Sequence, residues 1–205
     1  IDHTKRQSLE VVVRGSDVIY SPSNSSVIIQ LPLPKRRFYS LLTKIPYEKD
    51  VDMLSEGAKR KFYTGDFSRV SPVIRSIEYF IESNKLKIEA KNILIVGFGA
   101  LVGKPISFYL EKQGAKVRIT ENYSPDKVGS ESLIVLSSDV PNLVKGEDLP
   151  EGCNVIDFGS SVLNGKTVGN LDMNSDTSRL GIVSPSPGGM GPLVVRFLLM
   201  NHLGI

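Results

Sequence analysis

Residues 97–103 read Gly-Phe-Gly-Ala-Leu-Val-Gly; an apolar run precedes them and a segment with helical periodicity follows. Glycines at 97, 99 and 103, between a strand and a helix, suit the binding of a pyrophosphate. Gly97 permits a tight turn and Gly99 lets the backbone approach the phosphates. The helix N-terminus adds unpaired amides at the positive end of its dipole. The spacing is one residue longer than G-x-G-x-x-G, so an ordinary glycine-rich βα turn is the competing reading. Glu121 lies 24 residues after Gly97, at the end of the next apolar run. An acid there accepts hydrogen bonds from an adenosine ribose and repels a 2′-phosphate, which favours NAD over NADP. A solvated loop carboxylate is the alternative, and Arg118 and Lys127 are close enough in sequence to leave NADP open.

Residues 184–192, Ser-Pro-Ser-Pro-Gly-Gly-Met-Gly-Pro, hold three prolines and three glycines. Proline lacks an amide donor and fixes φ, and glycine allows close backbone approach, so the stretch reads as a rigid loop rather than helix or central strand. Two polar residues nearer the start also stand out. Gln30, in an apolar run, is a buried amide that needs a partner, structural or functional. Asp52, read from its own surroundings, is a helix-cap or turn residue. Asp157, inside an apolar strand, reads as a hydrogen-bonded structural carboxylate, and Asp172 as a loop or cap residue.

The elements that must position these groups alternate between strand and helix, which implies a parallel sheet. Residues 11–13 and 27–31 are short β-branched strands. Phe38, Leu41, Leu42 and Ile45 mark one helical face. A second face runs through Val70, Val73, Ile74, Ile77, Phe80 and Ile81, with Ser71 as N-cap and Pro72 in the first turn. Strands follow at 93–96, 117–119, 133–136, 154–158 and 181–183. A helix carries Val102, Ile106, Tyr109 and Leu110 on one face. A hairpin over 162–168 turns at Asn164-Gly165. The charged stretch at 83–91 is a natural domain boundary.

The 205 residues, 40% hydrophobic, suffice for one large or two small domains. A net charge of +3 gives no case for nucleic acid. The clusters Lys35-Arg36-Arg37 and Lys59-Arg60-Lys61 read as solvated faces or as a site for an acidic ligand tail. One cysteine and two histidines argue against a disulfide framework and a metal cluster. No apolar run reaches the roughly 20 residues that span a bilayer, and no signal peptide is visible. The expectation is a cytoplasmic protein with no membrane partner.

Several segments, taken in order, resemble the methylenetetrahydrofolate dehydrogenase/cyclohydrolase family. They are Gln30-Leu31-Pro32-Leu33-Pro34, Glu48-Lys49-Asp50-Val51-Asp52, the glycine turn through Lys104-Pro105, Val155-Ile156-Asp157-x-Gly159, and Pro187-Gly188-Gly189-Met190-Gly191-Pro192. The resemblance implies an α/β chain of two domains. A smaller N-terminal folate domain (1–88) and a Rossmann-type parallel-sheet domain (89–191) flank a cleft, and a C-terminal helix (192–205) packs back on the first. It implies hydride transfer from 5,10-methylenetetrahydrofolate to NAD or NADP, and hydrolysis of the methenyl product to 10-formyltetrahydrofolate. The lysine of the family's Tyr-x-x-x-Lys helix falls on Lys5, with Ile1 in the tyrosine position. Gln30 takes the place of the glutamine that tunes that lysine, and Asp52 that of the aspartate gripping the pterin edge. Pro187, Gly188 and Gly189 become a wall of the folate and nicotinamide site. Gly97, Phe98, Gly99, Val102, Gly103, Glu121 and Asn122 become cofactor contacts. A homodimer and a folate substrate, polyglutamylated or not, are implied as well.

Departures from the family pattern bear on activity. Phe98 and Asn122 replace an arginine and a serine associated with the 2′-phosphate, which points to NAD. The stretch between Lys5 and Gln30 is short for the family. Asp139, Ser160-Ser161, Ser186 and Val194 also depart. An NAD-dependent dehydrogenase without hydrolase activity and a non-enzymatic binding relative are the two rival readings.

Overall fold

A computed structural model describes residues 26–29 and 33–205, together with the backbone of Val11–Val12. Lys5, Gln30, Leu31 and Pro32 lie outside the described residues. The chain forms two compact units, one of residues up to Pro72 plus Arg196–Ile205, the other Val73–Val195.

In the first unit, β1 (Val11–Val12) pairs in parallel with β2 (Ile28–Ile29), and Val27 bridges to Asp50. Helix α1 (Lys35–Leu42) buries Leu41 and Leu42 against Val27, Ile29 and Ile45. Ile45 shares this core but lies beyond the helix end, so the helical face expected through it is a helix plus a turn. Helix α2 (Glu56–Tyr63) starts at Ser55, whose hydroxyl accepts from the Ala58 amide at 3.2 Å. Such an N-cap contributes about 1 kcal/mol. The two basic clusters ride on these helices, with Lys59 Nζ over the Tyr39 ring at 5.9 Å.

The second unit is built on a five-stranded parallel sheet. In spatial order its strands are β11 (Val183–Ser184), β7 (Asn154–Asp157), β5 (Leu133–Leu136), β3 (Asn92–Val96) and β4 (Lys116–Thr120). The runs Ile93 to Val96 and Leu133 to Leu136 are at most 2% exposed, as strands covered on both faces require. Edge strand β4 carries Lys116 and Arg118, which discourage further pairing. Helix α3 (Pro72–Ser83) buries Ile74, Ile77 and Phe80. Tyr109 of α4 (Gly103–Lys112) donates to Glu78 Oε1 of α3 at 2.7 Å. The two units divide after Pro72, the first residue of α3. Short strands β6 (Val144–Lys145) and β10 (Leu171–Asp172) pair in parallel, and β8 (Ser161–Leu163) pairs antiparallel with β9 (Lys166–Val168). Asn164 (φ 52°) and Gly165 (φ 75°) make the turn expected from their types. Cys153 is 1% exposed beneath the sheet, and burial pushes its thiol up to about 12.

Helix α5 (Met190–Leu203) corrects one expectation. The loop read over 184–192 ends early, because Met190, Gly191 and Pro192 form the helix's first turn. Proline is tolerated there, since first-turn amides have no intrahelical acceptor to lose. Similarly, Val102 precedes α4 at its N-cap position rather than lying within it. Among the described residues no helix is long and apolar enough to cross a membrane.

Candidate functional site

In the second unit the functional groups gather at the carboxyl ends of the strands. The chain leaves β3, passes through α4 to β4 on one side, and then crosses to β5 on the other. β3 and β5 thus flank the topological switch point, where open α/β sheets bind ligands. Gly97 turns there with φ 95°. A Cβ at Gly97 would meet the Ser137 carbonyl oxygen at 2.6 Å, and one at Gly103 would meet the Gly97 carbonyl oxygen at 2.1 Å. Two glycines are therefore required for α4 to start this close to β5. Ser137 Oγ donates to the carbonyls of Val96 (3.2 Å) and Gly97 (3.1 Å), and seals the turn from below.

The amides of Phe98, Gly99, Ala100, Leu101 and Val102 donate to no acceptor among the described residues. A Cβ at Gly99 would meet nothing within 4 Å. Bare donors, open space and a helix N-terminus fit the diphosphate of a dinucleotide. Phe98 is 39% exposed beside this opening. Glu121 and Asn122 are exposed just past β4. The Asn122 carbonyl accepts from Thr120 Oγ1 at 2.9 Å and from Lys127 Nζ. Arg118 is engaged elsewhere, in an ion pair with Glu131, whose other oxygen accepts from the Gly129 amide at 2.7 Å.

The segment 184–189 lies beside the ends of β7 and β11, with Pro187 and Gly188 exposed and Gly189 half-buried. A polar knot fixes it. Asp157 accepts from the amides of Gly159 (2.7 Å) and Leu171 (2.8 Å). Burial raises its carboxyl above the usual range despite these donors. Asn170 accepts from the Ser138 amide (2.8 Å) and donates to the carbonyls of Ser138 (3.1 Å) and Val140 (2.7 Å). The Ser186 carbonyl accepts from Gly169 N at 3.1 Å, and the Ser186 hydroxyl donates to Gly159 O. Asp157 thus has the structural role its place in an apolar strand implied. Asp172 forms a local turn, accepting from the Asn174 amide at 3.0 Å. Sequence reasoning missed the anchoring roles of Ser137, Asn170 and Ser186, whose partners are distant in sequence and leave no periodic signal.

The first unit holds Asp52 on a tightly held loop. Asp50, 1% exposed, accepts from the Ser55 amide at 2.6 Å and closes the loop on itself. Arg69 donates to the carbonyls of Tyr47 (2.8 Å) and Asp50 (3.1 Å). Asn201 Nδ2 of α5 donates to the Val51 carbonyl at 2.9 Å. Met53 is held at φ 58°, a left-handed conformation that costs a β-carbon residue about 1 kcal/mol. Amid these fixed groups the half-buried Asp52 carboxyl has no hydrogen-bond partner among the described residues. Burial, reinforced by the Asp50 charge, raises its pKa to about 6.

A parallel sheet with a glycine turn and bare amides at its switch point defines a dinucleotide-binding α/β protein of the Rossmann class. Residues 72–205 match the family model described as tetrahydrofolate dehydrogenase/cyclohydrolase, NAD(P)-binding domain. The bifunctional protein FolD of Hydrogenobaculum is 33% identical over 185 residues, which are 86% of this chain and 66% of that protein. The crystal structure of the bifunctional FolD of Campylobacter jejuni superposes with a TM-score of 0.82 at 26% identity, over 90% of this chain and 68% of that one. The Trypanosoma brucei FolD structure, complexed with NADP and an inhibitor, gives 0.78 at 27% identity, over 87% and 65%. The chain belongs to the tetrahydrofolate dehydrogenase/cyclohydrolase family and carries that family's NAD(P)-binding domain. It spans slightly less than two thirds of the length of several curated relatives, for example 66%, 64% and 62%.

Proposed function

We propose that the protein oxidises 5,10-methylenetetrahydrofolate with a nicotinamide dinucleotide and hydrolyses the methenyl product to 10-formyltetrahydrofolate. The observation that carries the substrate reading is Asp52, a half-buried carboxylate without a partner among the described residues, on a loop whose neighbours are tied down. Such a group accepts the paired N–H donors of a pterin edge in charge-assisted hydrogen bonds. When bound, the dinucleotide supplies the hydride acceptor. The amides at residues 98–102 would hold its diphosphate, and the stiff segment 184–189 would wall the site at the ends of β7 and β11. In this reading Lys5, tuned by Gln30, handles protons in the hydrolytic step.

NAD is the preferred cofactor. Glu121 is exposed where the adenosine ribose is expected, Phe98 brings no charge, and Arg118 is occupied by Glu131. Lys127, anchored on the Asn122 carbonyl, is the remaining cation that favours a 2′-phosphate.

The test is to supply methylenetetrahydrofolate with NAD or NADP, follow cofactor reduction, and separate methenyl from formyl product. Reduction with formyl accumulation is expected. Reduction with methenyl alone removes the hydrolase half, and no reduction with either cofactor overturns the reading.

A further inference from the structure

Asp52 is useful only if its carboxylate points the same way in every molecule, and its own side chain has no partner among the described residues to enforce that. The backbone must do it. The Val51 carbonyl and the Asp52 amide belong to one planar peptide unit, so fixing the oxygen fixes the entry into Asp52. On the far side Met53 is locked in the left-handed region, with its side chain buried. The group that fixes the Val51 oxygen comes from the far end of the sequence. Asn201 Nδ2 donates to it at 2.9 Å and also reaches the Val70 carbonyl at 3.3 Å. Val51 and Val70 are 1% and 6% exposed, so little water is at hand to replace this donor.

We propose that Asn201 is a positioning residue for Asp52, holding the Val51–Asp52 peptide from the C-terminal helix so that the carboxylate is aimed at the pterin. This rests on the folate reading of Asp52. A purely structural alternative is that Asn201 merely seats the helix end. The same helix end makes a second hydrogen bond, between His202 Nδ1 and Ser26 Oγ at 2.6 Å, that leaves the Val51 carbonyl untouched. Ser26→Ala therefore loosens the seat without releasing Val51.

The test compares Asn201→Leu, Asn201→Gln and Ser26→Ala in the full chain, with 5-formyltetrahydrofolate as a stable folate probe. Probe binding is read by calorimetry, NADH binding by fluorescence and stability by thermal unfolding. Asn201→Leu should weaken the probe by about tenfold, the scale of a misplaced binding group. NADH affinity should stay within about twofold, and Ser26→Ala should leave probe affinity within about twofold. Asn201→Gln, which keeps the donor, should recover part of the loss. Equal weakening by Asn201→Leu and Ser26→Ala, or none by Asn201→Leu, overturns the proposal. A wild-type chain that binds NADH but not the probe removes the folate reading, and the proposal with it.

Discussion

Among the described residues, the amides of 98–102 are donors with nothing to bond, whereas the loop at 50–55 offers one carboxyl, that of Asp52, with nothing to bond. The turn is shaped by sterics. Gly97 and Gly103 let a helix start against a neighbouring strand, and the free amides result from that geometry. The loop is shaped by polar contacts, with Asp50, Arg69 and Asn201 each fixing a backbone group around a strained Met53. A site for a diphosphate can therefore be written in local sequence, because glycine spacing is enough to make it. A site for one carboxylate needs partners from across the unit.

Substitutions separate these two construction methods. The largest effect is expected at Gly103→Ala, whose Cβ would press on backbone that cannot move aside. It should destabilise the fold by about 3 kcal/mol in urea unfolding and abolish NADH binding. Gly99→Ala, facing open space, should leave unfolding unchanged and still weaken NADH binding. If it binds normally, the diphosphate does not lie there.

Asp52→Asn should weaken a reduced folate by about a hundredfold, in keeping with loss of a paired charge-assisted contact. Its effect on stability has the opposite sign. The raised pKa means that the folded state favours the protonated form. The associated stability is complete below pH 3.8 and lost as pH rises through about 6. The asparagine variant should thus be more stable than wild type above pH 6, by about 2 kcal/mol, and equal to it below pH 4. Folate affinity follows the ionised form and should fall about tenfold per pH unit below 6 in wild type, and not at all in Asp52→Asn. A flat wild-type profile would detach Asp52 from the ligand.

The smallest effects concern the ribose end. Glu121→Gln should move the NADP-to-NAD affinity ratio upward by about fivefold, and Lys127→Met downward by a similar factor, the scale of one exposed charge. A ratio unmoved by both would place discrimination elsewhere in the turn.

Local signals foretold the local structures. The β3-turn-α4 unit, the Asn164-Gly165 hairpin and the apolar face of α3 follow from glycine placement and periodicity. Residues 184–192 misled at their end, because proline's resistance to helix does not extend to a first turn. The polar knot of Asp157, Asn170 and Ser186 was only half visible: a carboxylate in an apolar strand shows in sequence, but its acceptors and donors come from other loops. Asp52 was legible only by resemblance, since its burial and lack of partners emerge from packing. Lys5 and Gln30 fall outside the described residues.

The buried sulfur has a use as a clock. The chain has a single cysteine, immediately before β7, and its thiol is both shielded and hard to ionise. A small alkylating reagent reaches it only when that part of the sheet opens, so the labelling rate measures the frequency of that opening. Ligand that stiffens the sheet should slow the clock, and Gly103→Ala should quicken it.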